Sequence, residues 1–505
     1  MSKPSSPMNI ENIHQDFNNG VLTVESLAEG VISHYEKNSH LNCFIHFDKA
    51  AILRHANKLD IQLKEYSHAG KELPPLFGIP VAIKDNLHVQ SEPTTCGSHI
   101  LKDFTAPFDA TVVKNLKLAG ALICGKTNMD EFAMGGSTEN SLAGPAKNPH
   151  NTEYVAGGSS GGSAICVSSQ ITPVAIGTDT GGSIRQPASY TGCIGFKPSY
   201  GSVSRFGLVA FGSSLDQAGP FAGNVADLRR VFSVISKKEN PCKDMTHQFD
   251  FEDLLHAQAG LKSNKITSFE GVKVAIPSNF KSEAIDKDIR ENLAEVARFL
   301  ESQGARVESI SIPILDYALA AYYIIATAEA SSNLSRYDGI RFGYRKDDDS
   351  GGLLQSYFTT RSAGFGEEVI RRILLGTFVL SSGYYDAYYN RAMLIRKEME
   401  REFAKIYAEY PIILTPTTPG VAFKLQECID DPLKMYLNDI CTIFVNLIGC
   451  CGVSIPTGRD SVHNLPIGIQ FCSKRFWDPM LLDFCQLFEK TYAKAGLIQV
   501  GAGQE

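Results

Sequence analysis

Between Gly157 and Pro187 the chain reads GGSSGGSAICVSSQITPVAIGTDTGGSIRQP, a stretch holding two loops rich in glycine and serine. The first runs from Gly157 to Gly162 and the second from Gly177 to Ser183. Glycine at this density marks backbone in conformations that other residues resist, or backbone that something must approach closely. Successive N–H groups in such loops form concave nests suited to an anion or a developing oxyanion. Tight turns between elements would use the same residues, but here each loop carries a serine, Ser159 and Ser183. Pro173-Val174-Ala175-Ile176 reads as a buried strand that runs directly into the second loop. Ser183 therefore follows a strand and a double glycine, with backbone N–H groups close behind it.

A serine hydroxyl is a weak nucleophile and needs a base. No histidine lies between His150 and His247. The stretch Gly157 to Gly161 also satisfies G-x-S-x-G, the elbow on which other hydrolases mount a serine, but that elbow follows a strand. What precedes it here, PAKNPHNTEYVA, is turn-rich and mostly polar. A distant histidine such as His463 keeps that alternative open. A lysine out of water is another base, because burial lowers its pKa and leaves a neutral amine. The run Gly78 to Asn86, GIPVAIKDN, is a short apolar strand ending in Lys84, where α/β sheets place their chemistry. A lysine snorkelling to solvent would also fit. Spacing alone nominates Ser183, Ser159 and Lys84 without showing that they meet. Gly120 to Thr127, GALICGKT, matches the phosphate-binding pattern G-x-x-x-x-G-K-[ST]. The expected order there is helix, glycine, strand, and the intervening residues are apolar β-formers, which argues against a nucleotide role for Lys126.

The remaining patterns set the frame. A chain of 505 residues allows two to four domains or one large α/β domain. A net charge of −7 gives no basic surplus for nucleic-acid binding. The first 20 residues carry neither an apolar secretory core nor an arginine-rich address, and no apolar run approaches the roughly 18 residues of a membrane span. Twelve cysteines without a C-x-x-C pair point to reduced, mostly buried thiols in a cytosol and against structural zinc. Helical spacing predicts helices over 23–38, capped by Thr23, and about 48–66. It predicts others over 109–119, capped by Asp109 and stopped by Gly120, near 251–257, and over 285–303. Strands are expected at 121–124, 273–276 and 307–314. Residues 238–270 are polar and poorly periodic. Composition shifts little across 225–310, so no internal boundary is marked.

Taken in order, Lys84 in GIPVAIKDN, Ser159 in GGSSGGSA and Ser183 in GTDTGGSIRQP resemble the amidase signature family. The resemblance implies Ser183 as acyl-enzyme nucleophile, Ser159 as proton-relaying serine after a cis peptide bond, and Lys84 as neutral base. It implies an oxyanion hole from the backbone around Thr180, Gly181 and Gly182. The fold it implies is α/β, a single large domain over 1–505 with a twisted mixed β-sheet covered by α-helices and a catalytic core at about 75–225. Ala156 departs from the proline often found before the double glycine.

Two further segments, TAEASSNLSRYDGIRFGYR (327–345) and GFGEEVIRRILLGTFVLSSGYYDAYYNRA (364–392), are similar to the A subunits of tRNA-dependent amidotransferases. The similarity runs from the first helix to Pro466–Ser473. It implies a cytoplasmic glutaminase in a heterotrimer, with no membrane contact and no cofactor or metal in this chain. Ammonia would pass to a B subunit that uses ATP and Mg to activate mischarged Glu-tRNA or Asp-tRNA, and a C subunit would tie the two together. A zwitterionic glutamine needs a cation and an anion, and the resemblance supplies Arg372 and Asp439, with Tyr323 lining the pocket. Arg371 stays open as the carboxylate ligand, a solvated helix arginine and a surface helix acid being the plain alternatives. Phe444 and Cys450-Cys451 depart from residues common near Asp439. The run Tyr384–Tyr389 is expected to pack in a helix, not to stack on bases. A stand-alone amidase acting on another carboxamide is the alternative function.

Overall fold

The apolar runs of the sequence become strands buried on both faces, which is why they read as continuous rather than alternating. The computed structural model describes residues 8–260, 266–281, 283–346, 351–428 and 431–496. Among these, eleven strands form one sheet: β1 (Phe44–His46), β2 (Pro80–Lys84), β3 (Leu122–Thr127), β4 (Val174–Asp179), β5 (Ile194–Lys197), β6 (Gln217–Ala222), β7 (Lys273–Pro277), β8 (Arg306–Ile310), β9 (Ile412–Pro416), β10 (Cys451–Arg459) and β11 (Pro466–Ser473). Their order is β1-β3-β2-β4-β6-β5-β10-β11-β9-β7-β8. Successive side chains along a strand point to opposite faces. Val274, Ile412 and Phe471 accordingly join one apolar cluster, and their neighbours Ala275, Ile413 and Cys472 join another. The fold is the expected α/β one, a mixed sheet between helical layers.

Three adjacent parallel strands place the site. β2 pairs in parallel with both β3 and β4, with Lys84 beside Thr127 and Ile83 beside Ile176. Their carboxyl ends therefore open at one edge, the position where such sheets hold ligands. Leaving that edge are Lys84, the segment after Thr127, and the loop after Asp179.

Local signals set most helix limits. Thr23 caps Val24–Lys37 through the Ser26 N–H, and Ser26 reciprocates. The second helix runs Lys49–Ala69 and stops at Gly70, whose φ of 60° is left-handed. The helices near 251 and 285 span Phe251–Gly260 and Lys287–Ser302.

Three expectations need correction. Asp109 is not a cap: the helix is Thr111–Leu118 after Ala110, and the Asp109 carboxylate instead accepts from the Gln90 N–H and Lys117. The strand expected at 307–314 ends at Ile310, because Pro313 has no N–H for a ladder and begins a short 3-10 turn. The tyrosine run does not pack inward. Residues 385–390 form a π-helical turn, and Tyr384, Tyr385 and Tyr388 are each more than 40 % exposed. Their rings lie against one another and Phe378 on the surface. The expectation of mostly buried thiols is met: eleven of the twelve cysteines are buried and Cys242 is exposed.

Lys126 lies inside β3, not in a phosphate-binding turn. It is fully buried, ion-paired to the buried Asp85 at 3.0 Å, and donates to the Pro93 carbonyl at 2.7 Å. Removing one partner of a buried pair leaves the other charge uncompensated. Lys126→Ala is therefore expected to cost about 3–5 kcal/mol in urea unfolding. A titration with ATP is expected to show no saturable binding to the intact protein.

Candidate active site

Burial makes Lys84 unusual. It is inaccessible to solvent at the end of β2, and its Nζ donates to Ser159 Oγ at 2.8 Å, Ser160 Oγ at 2.7 Å and the Thr178 carbonyl at 3.4 Å. Burial drives its pKa down to about 7, against the opposing pull of Asp130, Asp179 and Asp216. The snorkelling alternative is thus excluded. The Gly158–Ser159 peptide is cis. Ser159 sits before the helix Gly161–Ser168 and after no strand, so the hydrolase-elbow reading finds no support in its setting. Ser160, which sequence reasoning passed over, links Lys84 to β4: its hydroxyl donates to the Thr178 carbonyl and accepts the Thr178 N–H.

The second loop hangs on a buried ion pair. Asp179 ends β4, and Arg185 opens the helix Arg185–Thr191. Arg185 donates to both Asp179 oxygens at 3.0 Å, and to the Thr442 carbonyl, Gln470 and Asn446. Burial opposes the Asp179 charge, yet Arg185 holds its carboxyl down at about 2. The Gly182 N–H donates to Asp179 Oδ1 at 2.9 Å. Gly182 has φ of 144°, and a Cβ there would strike the Thr442 side chain, so the position demands glycine. Of the three backbone groups suggested for an oxyanion, Gly182 thus has its N–H engaged. Those of Thr180 and Gly181 meet no acceptor among the described residues. Ser183 is 8 % exposed. Its hydroxyl has no hydrogen bond among the described residues, so Lys84 and Ser159 are joined while the link from Ser159 to Ser183 is not a hydrogen bond here. The two loops do abut: Gln186 Oε1 accepts the Gly158 N–H at 2.9 Å.

Beside these loops lies a charged cage. Arg372, on the helix Glu367–Val379, is 4 % exposed. Its Nε donates to Glu368 Oε1 at 2.7 Å, and the rings of Phe211, Tyr323 and Tyr436 surround the guanidinium at 5.3–5.6 Å. Arg371 is turned outward to the other Glu368 oxygen with its side chain 40 % exposed, so Arg372 is the inward-facing arginine. The Tyr323 hydroxyl donates to Asp439 Oδ2 at 3.2 Å. Asp439 lies in a turn beyond the helix Pro432–Leu437, not on a surface helix. Burial raises its carboxyl to about 7, with Arg372 pulling the other way. The neighbouring Tyr322 presses on the GTDTGGS loop, where a Cβ on Gly181 would run into its hydroxyl. A small cavity of about 60 Å³ borders Glu368, Arg371 and Tyr436. A larger one of about 640 Å³, lined by His46, His55, Glu92 and Lys117, lies against β1 and shares no residue with this cluster. Among the described residues no grouping of His, Cys, Asp or Glu is arranged to hold a metal ion.

The segment after β3, Asn128 to Ser137 (NMDEFAMGGS), was missed from sequence. It carries left-handed backbone at Phe132 (φ 48°) and Ala133 (φ 61°), a conformation costly for such residues and concentrated at functional sites. Glu131 Oε2 accepts the Gly366 N–H at 2.8 Å, capping the helix that bears Arg372. Adjacent acids followed by a double glycine after a strand were the available signal. Asn446 was missed because nothing local announces its contacts with Asp179 and Arg185, more than 250 residues away, whereas Asp179 and Arg185 lie only six residues apart and were passed over.

The Amidase family model matches residues 27–482. A relative from Symbiobacterium thermophilum, named as the A subunit of Glutamyl-tRNA(Gln) amidotransferase, is 46 % identical over 94 % of this chain and 94 % of its own length. A protein of the same name from Persephonella marina is 49 % identical over 86 % of this chain and 87 % of its own. The crystal structure of the A subunit of Glutamyl-tRNA(Gln) amidotransferase from Thermotoga maritima superposes with a TM-score of 0.75 at 38 % identity, covering 96 % of this chain and 94 % of that one. The native peptide amidase of Stenotrophomonas maltophilia superposes with a TM-score of 0.76 at 25 % identity, over 97 % and 98 % of the two chains. With a buried lysine on a cis-linked serine, a strand-end GTDTGGS loop and a family match over most of its length, this chain belongs to the amidase family.

Proposed function

We propose that this chain is the glutamine-hydrolysing A subunit of a tRNA-dependent amidotransferase. The observation that carries the reading is the placement of a buried Lys84–Ser159 pair beside a cage with one inward cation, Arg372, and one half-buried carboxylate, Asp439. A cage offering both charges suits a free α-amino acid better than a neutral amide.

Ser183 Oγ attacks the side-chain carboxamide carbon of glutamine. Its proton passes to Ser159, whose own proton goes to the neutral Lys84 amine. The N–H groups of Thr180 and Gly181 receive the oxyanion, and Gly182 with Asp179 holds that loop in shape. Lys84 returns the proton through Ser159 to the leaving nitrogen, releasing ammonia and an acyl-enzyme ester. Water attacks the ester along the same relay and glutamate departs. Arg372 holds the α-carboxylate, Asp439 the α-ammonium, and Tyr323 orients Asp439. An incoming ammonium favours the Asp439 anion, offsetting the rise that burial causes.

The names of the relatives support a larger assembly. In it, this chain is joined by B and C subunits, and the B subunit uses ATP and Mg to activate Glu-tRNA(Gln) or Asp-tRNA(Asn). Ammonia from this chain then completes the amide. The reading places the assembly in the cytoplasm; no helix among the described residues is long and apolar enough to cross a membrane.

Glutamate release from glutamine tests this, measured on the chain alone and with co-expressed partners. Ser183→Ala is expected to lose about 10⁴-fold or more of the rate. Cleavage of other amides that depends on Ser183, with no action on glutamine, would move the chain to the stand-alone amidases. Lys84 must be neutral to act, so the rate is expected to fall as pH drops below about 7. Lys84→Ala is expected to lose about 10²–10⁴-fold and that acid limb with it. Arg372→Ala is expected to raise KM for glutamine about 30- to 100-fold while changing hydrolysis of a small neutral amide little.

A further inference from the structure

On the relay just described, Lys84 turns from a neutral amine into an ammonium without leaving its dry site. A buried cation needs a counter-charge. The carboxylates whose charges act on Lys84 come from three elements: Asp130 from the segment after β3, Asp179 from β4, and Asp216 from the turn before β6. The Cys96 thiol, after β2, is a further titratable group whose charge would act on it. Asp179 is already spent on Arg185. Asp216 accepts from the Thr180 hydroxyl and the Phe211 and Gly212 N–H groups, with Arg205 as a cation of its own. Asp130 differs. It is fully buried, with its oxygens held by the Thr138 N–H at 2.9 Å and the Asn140 N–H at 3.3 Å. It has no salt-bridge partner among the described residues, and Lys84 is the cation acting on it, with Glu139 the other charge nearby.

Asp130 also grips the relay turn. Its backbone N–H donates to the Ser159 carbonyl at 3.3 Å. Its Oδ2 lies so close to Gly158 that a Cβ there would collide with it, and one at Gly135 would meet both oxygens. The same residue thus holds the turn of Ser159, and its buried carboxylate lies against Gly158, next to the serine that Lys84 Nζ contacts at 2.8 Å.

We infer that Asp130 is a positioning residue for the hydrolysis, supplying the counter-charge that stabilises Lys84 once it has taken the proton from Ser159. The proposal rests on the Ser183–Ser159–Lys84 reading. No atoms are exchanged with Asp130: burial raises its carboxyl to about 6, so at pH 8 it stays ionised while the proton moves between hydroxyls and amine.

The test is the pH profile of glutamate release by Asp130→Asn, run beside wild type and Lys84→Ala. Without the negative charge Lys84 holds its proton less tightly, so the acid limb is expected to shift to lower pH by about one unit or more. The weaker base is expected to lower kcat at pH 8 by about tenfold or more, with KM for glutamine within about twofold because Asp130 touches none of the cage. An acid limb that stays at the wild-type pH while kcat falls would mean that Asp130 only holds the turn, and the proposal is overturned. A KM increase with unchanged kcat overturns it as well. Near-normal activity in Lys84→Ala would instead sink the triad reading itself. Should Asp130→Asn not fold, Asp130→Ser, which leaves space for water in place of the carboxylate, is read by the same profile.

Discussion

The structure depends on keeping one lysine dry. Lys84 sits at the end of a strand flanked on both sides by parallel partners, with none of its surface exposed. Out of water an ammonium is costly, and burial brings the amine down to about 7, where a neutral form is available at physiological pH. Three buried carboxylates keep it from falling further. That balance between desolvation and negative charge gives a lysine basicity suited to proton transfer, without a histidine.

The loops around Lys84 are shaped by contacts that reach across the chain. Asp179 and Arg185 close the GTDTGGS loop. Asn446 and Gln470, brought from the helix before β10 and from β11, fill out the Arg185 fork. A planar guanidinium with five donors can serve four partners at once, which a lysine there could not do. Phe444, a departure from the family's usual residue, packs on Phe403 from the same short helix as Asn446 and leaves Asn446 in place.

The segment after β3 couples the two halves of the site. Asp130 binds the Ser159 turn through its N–H, while the next residue, Glu131, accepts the Gly366 N–H at the start of the helix that carries Arg372. The left-handed backbone at Phe132 and Ala133 follows directly. Tyr322 and Tyr323 form a second tie, one against Gly181 and the other on Asp439. Cage and GTDTGGS loop are therefore held at fixed separation, as the proposed attack on a bound amino acid requires.

What the sequence by itself determined was local. Apolar runs became buried strands, Thr23 and Gly70 set helix limits, and the glycine-serine loops with Lys84 marked the chemistry, because turn glycines and strand ends are written in neighbouring residues. The same locality explains the misses: Asp109 had cap chemistry but a better partner in Lys117, and the tyrosine run had apolar rings but no surface to cover. Only the tertiary structure decided that Lys126 is a buried ion pair, that Arg372 and not Arg371 faces inward, and that Asp179 meets Arg185 and Asn446, with Gln470 completing the Arg185 fork. It also decided that Asp130 lies against the relay. Most of these outcomes rest on burial and on contacts between residues far apart in the chain, and even the six-residue Asp179–Arg185 pair is completed by Asn446 and Gln470; those contacts exist only once the sheet has brought them together.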